Sequence, residues 1–173
     1  IPEAFVPLIE ETWADDEKSL YGRFDLSWDG EGEPRLLEYN ADTPTALLEA
    51  SVVQWHWLQE AVPGTDQFNS LHERLIDRWR EMAADFGGAR VVHFACVSES
   101  PEDQGNVDYL RDTALQAGLE ARALDIADVG WDGRRFRGLD EEPIDVLFKL
   151  YPWEWLVREA FGEHLLERTA RVI

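Results

Sequence analysis

Positive charge is scarce in this chain: Lys and Arg number 16 against 36 Asp and Glu, a formal net charge of −20. No basic stripe is present to follow a phosphate backbone, so nucleic acid is not an expected partner, whereas a metal ion or a polyamine suits such a field. Strong acidity also serves solubility, so charge alone does not define a function. A single cysteine, Cys96, rules out an internal disulfide framework. It lies in the apolar run Arg90-Val-Val-His-Phe-Ala-Cys-Val97, where a buried, inert thiol is expected rather than a nucleophile. No apolar run approaches the roughly 18 residues of a membrane span, and no signal-peptide pattern opens the chain. A membrane is therefore not an expected partner, and the expected compartment is the cytoplasm. Neither G-x-G-x-x-G nor a P-loop occurs, no G-x-S-x-G elbow occurs, and the four histidines lack metal-ligand spacing.

The 173 residues suffice for a sizeable core, in one domain or two small ones. The chain opens on Ile1 and closes on Arg171-Val-Ile173, which reads as the start of a strand, so a piece of a longer polypeptide is expected. Apolar spacing predicts a helix over about 2–17 and a second from Pro44 to about Ala61, with Thr43 as its N-cap. The second helix is apolar around most of its circumference and is expected to be central and buried. A third helix spans about 69–85 and stops at Gly87-Gly88. Val91 to Val97 then reads as a strand buried on both faces, followed by a helix over about 103–117 and a strand from Glu120 to Leu124, a βαβ unit. A small hairpin turns at Asp132-Gly133, Val146 to Leu150 is a further buried strand, and 153–168 holds one or two helices. Most of the eight tryptophans fall beside other apolar residues, and core packing is expected for them. The fold class is α/β, with a boundary near Gly87-Gly88: residues 1–87 form a hairpin-and-helix part and 88–173 a small Rossmann-like part.

Chemistry concentrates in Tyr21-Gly-Arg-Phe-Asp25-Leu-Ser-Trp28 and Leu36-Leu-Glu38-Tyr-Asn40-Ala-Asp-Thr-Pro-Thr45. Residues two apart on a strand share a face, so an antiparallel hairpin turning at 29–33 gathers Arg23, Asp25, Glu38 and Asn40 on one surface. Hard oxygen donors suit Mg²⁺, and a neighbouring Arg suits phosphoryl or carboxylate oxygens. The plainer alternative is that these charges solvate the outer face of a hairpin. Glu102 and Asp103 follow the first buried strand, where open α/β sheets place ligands, and an ammonium group suits them. Acidic residues in the first turn of a helix are also ordinary. Lys149, inside a buried strand, requires a carboxylate or a ligand as partner.

Those two hairpin segments, with Asp66-Gln-Phe-Asn-Ser-Leu and Leu147-Phe-Lys-Leu-Tyr-Pro-Trp-Glu, resemble the glutathionylspermidine synthase family, including its shorter members without an amidase domain. The resemblance runs over essentially the whole chain. It implies an ATP-grasp carbon–nitrogen ligase that phosphorylates a peptide carboxylate with Mg·ATP and lets an amine attack the acyl phosphate. It implies a partial ATP-grasp region in 1–87 and a pre-ATP-grasp-like βαβ subdomain in 88–173. By resemblance, Asp25, Glu38 and Asn40 hold two Mg²⁺ ions, and Arg23 is the catalytic residue that stabilises the transferring phosphoryl group. Thr43 and Thr45 fall where relatives contact the peptide, and Glu102 and Asp103 where they approach peptide and amine. Asp103 stands where some relatives carry Glu. The implied substrates are a thiol peptide and a polyamine or other amine. The lysines that grip ATP lie, in the family, beyond the equivalent of Ile173, so this chain alone is expected to be inactive. Alternatives from other classes are a non-catalytic peptide- or polyamine-binding domain of the same fold, and a metal-dependent phosphohydrolase.

Overall fold

The computed structural model describes residues 1–173, and its centre is a four-stranded, all-parallel sheet. We number the elements along the chain: α1 Val6–Ala14, β1 Arg23–Ser27, β2 Arg35–Asn40, α2 Gln54–Ala61, α3 Leu71–Ala83, β3 Val91–Cys96, α4 Pro101–Gln116, β4 Glu120–Asp125, β5 Gly130–Trp131, β6 Phe136–Arg137, β7 Val146–Lys149, α5 Trp153–Leu156 and β8 Arg171–Val172. The sheet runs in the order β4-β3-β7-β8. The expected βαβ unit is β3–α4–β4, and the terminal Arg171–Val172 does pair as a strand, parallel to β7. Strands covered on both faces read as continuous apolar runs, which is why Val91–Cys96 and Val146–Lys149 were legible.

One face of the sheet, carrying Val92, Phe94, Val146 and Phe148, packs against α3 and α4. Trp79 is fully buried there, edge-on to Phe94 with ring centroids 5.5 Å apart, and its indole N–H donates to Thr113 Oγ1 at 3.1 Å. That bond satisfies a polar atom that burial would otherwise penalise. The opposite face, with Ala95 and Leu147, packs against Ile144, Leu156, Phe161 and Leu165. Trp79 and Met82 precede Gly87-Gly88, whereas Phe94 and Phe148 follow it; the elements on either side of the proposed boundary share one core.

Three expectations are corrected. The second helix does not begin at Pro44: residues 43–46 are non-helical, helix starts at Leu47, and Glu49–Val53 is wound as a π-helix before α2. Thr43 is no N-cap, because its own N–H donates back to Asn40 Oδ1 at 3.2 Å and so holds the segment out of the helix. Nor is this helix buried. Val53 and Trp57 are more than half exposed, since no element within these residues covers that side. Of the eight tryptophans, Trp79 belongs to the core and Trp131 and Trp153 pack against it half-buried, while Trp13, Trp28, Trp55, Trp57 and Trp155 are exposed.

His93 lies within the sheet, with Nε2 at 3.0 Å from Glu142 Oε1 and Nδ1 without a partner. Burial, then the nearby Arg122 charge, holds its pKa below the usual histidine value, while Asp145 acts in the opposite direction. Arg122 also pairs with Glu142. A base whose folded pKa is depressed binds its proton more readily when unfolded, so it contributes stability that is complete above the unfolded value near 6.5 and declines as the pH falls below it. A His93→Gln variant is expected to lose less stability between pH 7 and pH 5 in urea titrations; an unchanged pH slope would contradict this account.

Candidate functional site

The hairpin forms as its alternation predicts. β1 and β2 pair antiparallel, with Arg23 opposite Asn40 and Asp25 opposite Glu38, so all four side chains share one face. A bulge follows Asp25, with Leu37 as the extra residue, and brings Leu26 opposite Leu36. The other face carries Phe24 stacked on Tyr39 at 4.5 Å between ring centroids. Gly22 permits the entry to β1, because a Cβ there would lie 2.4 Å from the Tyr39 hydroxyl.

Arg23 is the hub of the polar face. Its Nε and one terminal nitrogen donate to the two oxygens of Asp25 at 2.7 and 3.0 Å, a two-pronged pairing, and the other terminal nitrogen donates to Thr45 Oγ1 at 3.0 Å. Glu38 Oε1 stands 3.7 Å away. The hydrogen bond from Arg23 holds the Asp25 carboxyl below the usual carboxylate range, and the same bond raises the Arg23 pKa. Beyond β2, Asn40 and Thr43 bond reciprocally, and Tyr21 donates to Pro44 O at 2.7 Å. Burial pushes the Tyr21 phenol up to about 12, so it remains a proton donor to that carbonyl at any physiological pH. Arg23, Asp25, Glu38 and Thr45 thus form one polar group, and Asn40 bonded to Thr43 forms a second, with Asn40 directly across the strand pair from Arg23.

Glu102 and Asp103 do not join it by any hydrogen bond. They occupy the first turn of α4, where Ser100 caps the helix by accepting from Asp103 N–H at 3.3 Å. They nevertheless sit at the carboxyl end of β3, the strand with β4 on one side and β7 on the other, which is the switch point where such sheets bind ligands. A Cβ on Gly105 would lie 3.7 Å from Leu48, so the start of α4 faces the segment that follows Thr45. Cys96 is buried and its thiol is pushed up to about 11, as expected of an inert cysteine.

As a place for Mg²⁺, the hairpin offers two carboxylates and a carboxamide, a donor set that such an ion accepts when substrate phosphates complete its shell. The chain has no cluster of three or more His, Cys, Asp and Glu arranged around a metal position, and both Asp25 oxygens face Arg23. These residues form no all-protein cage, and an ion held there would have to take most of its shell from outside the chain.

Sequence reasoning left one participant out. Asp42, two residues after Asn40, is the carboxylate that Lys149 requires: Nζ lies 2.5 Å from its Oδ1. The signal was the buried Lys149, but nothing in the sequence named a partner so distant along the chain. Asp42 and Thr43 also line a cleft of about 890 Å³ between α1, α5 and the last strand.

The parallel α/β sheet thus presents its carboxyl edge next to a hairpin whose polar face carries Arg23, Asp25, Glu38 and Asn40. The chain belongs to the glutathionylspermidine synthase preATP-grasp family, whose model matches residues 1–173. It is 44% identical over 170 residues to a putative acid–amine ligase of Haemophilus influenzae, covering 96% of this chain and 43% of that protein. It is 27% identical over 175 residues to a trypanothione synthetase of Crithidia fasciculata and 26% over 160 residues to a bifunctional glutathionylspermidine synthetase/amidase of Escherichia coli. These alignments cover 94% and 89% of this chain and 25% of each relative. The chain spans less than half the length of these relatives. No helix is long and apolar enough to cross a membrane.

Proposed function

We propose that this chain is the substrate-side portion of an ATP-dependent carboxylate–amine ligase of the cytoplasm. The polar face of the hairpin carries the reading: one arginine, two carboxylates and an amide oxygen converge there within a family whose named relatives are ligases and synthetases. In the proposed reaction a peptide carboxylate oxygen attacks the γ-phosphorus of ATP and ADP departs. The amine nitrogen then attacks the acyl carbon, the C–O bond to phosphate breaks, and the amine gives up a proton. Asp25, Glu38 and Asn40 would hold Mg²⁺, up to two ions, which offsets the phosphate charge when bound. Arg23 supplies a fixed positive centre where negative charge develops, already oriented by Asp25 and Thr45. Thr43 and Thr45 would face the peptide, and Glu102 and Asp103 an ammonium group. A thiol peptide and a polyamine or related amine are the proposed substrates, and the net charge of −20 favours a cationic amine.

The complete gene product, screened across thiol peptides and amines, is expected to form ADP only when an amine is present, while the 173-residue chain alone gives no turnover. Phosphate release without an amine would point to a phosphohydrolase, and binding without ADP to a non-catalytic domain. Equal turnover by the short chain would contradict the division of labour proposed here.

A further inference from the structure

The hairpin is poorly anchored by apolar packing: Leu36, Leu37 and Tyr39 are all more than half exposed. A two-stranded sheet of this kind has little stability of its own, so something else must fix its position. The contacts at the end of β2 do so. The Asp42 carboxylate accepts from Lys149 Nζ at 2.5 Å and from Trp153 N–H at 3.0 Å, and its carbonyl accepts from Nζ at 3.4 Å. The Lys149 side chain is 2% exposed, Asp42 is its ion-pair partner, and the ammonium also lies 4.9 Å from the centroid of the Trp153 ring.

From this point each successive residue of the loop is tied to the hairpin or its entry. Thr43 is tied to Asn40, Pro44 O to the Tyr21 hydroxyl, and Thr45 Oγ1 to Arg23. The next residue, Ala46, is held at φ 64° without being glycine, a conformation that persists only where its surroundings over-determine it. Lys149 is on β7 at the carboxyl edge of the sheet, so the buried ammonium links that edge to the loop carrying Thr43 and Thr45.

We infer that Lys149 and Asp42 are a positioning pair: they fix the 41–46 loop, and through it Arg23, against the carboxyl edge of the parallel sheet. What the positioning serves rests on the ligase reading above. Neither residue touches the reacting atoms in this account.

The test is Lys149→Met in the complete gene product, with hydrogen exchange of residues 41–46 measured beside kcat and KM for amine-dependent ADP formation. Exchange in the loop is expected to rise at least about tenfold, and kcat to fall about 100-fold with KM for ATP within about threefold, the pattern of a misplaced catalytic group. Unchanged exchange would overturn the inference, and so would a loosened loop with kcat retained. Should Lys149→Met fail to fold, Asp42→Glu keeps the ion pair and displaces the loop by one methylene; kcat is expected to drop about tenfold, and full activity would overturn the inference. If the unaltered gene product forms no amine-dependent ADP, the ligase reading fails separately, and the exchange measurement still decides whether Lys149 holds the loop.

Discussion

Arg23→Met in the complete gene product is expected to lower amine-dependent ADP formation by about 10²- to 10³-fold, the usual consequence of removing one preorganised charge-stabilising donor. Arg23 is the cation that reaches Asp25 and Thr45 on the polar face of the hairpin, and it is held by three hydrogen bonds to them before any substrate arrives. Such preorganisation costs no rearrangement at the moment of reaction. Methionine keeps the unbranched stem of the side chain but neither the charge nor the donors. Folding should change little, because the ion pairs of Arg23 are partly exposed and pairs of that kind contribute little to stability. Urea titration beside the kinetics separates the two effects. A matching loss of stability would reassign Arg23 to a structural role, and retained turnover would remove it from the site.

The second large effect is an asymmetry between two partners. Removing Asp42 by Asp42→Ala leaves the Lys149 ammonium buried without its carboxylate, and breaking a buried pair in this way costs about 3 kcal/mol, the lower end of the range because Asp42 is itself 41% exposed. Burial already lowers the Lys149 pKa against the opposing pull of Asp42. Lys149→Met removes the other partner and leaves a carboxylate that meets water and the Trp153 N–H, at a cost of about 1 kcal/mol or less. Equilibrium unfolding of the two variants measures the difference. Equal losses would mean that Lys149 is stabilised by something other than Asp42.

The sequence carried the parts of the fold that follow a simple period. Val91–Cys96 and Val146–Lys149 announce themselves as buried strands, and alternation in 21–28 and 36–40 brings Arg23, Asp25, Glu38 and Asn40 to one face of a hairpin. What local pattern did not carry was decided by distant contacts. Thr43-Pro44 has the signature of a helix start, yet the Asn40 side chain takes the Thr43 N–H and Tyr21 takes the Pro44 carbonyl, so helix waits until Leu47. Apolar residues around most of the second helix suggest burial on all sides, but composition cannot supply the covering elements, and no element of these residues lies over Val53 or Trp57. Lys149 was legible as a buried charge needing a partner; that the partner is Asp42, 107 residues earlier, is a property of the folded chain.

The most direct test follows oxygen. With the carboxylate substrate identified by the screen and labelled with ¹⁸O, the complete gene product should transfer one labelled oxygen to the released phosphate for each amide formed, because the acyl phosphate loses its bridging oxygen when the amine attacks. Unlabelled phosphate released at the same rate would show that ATP is hydrolysed by water, and the hairpin would then not be the site of carboxylate activation.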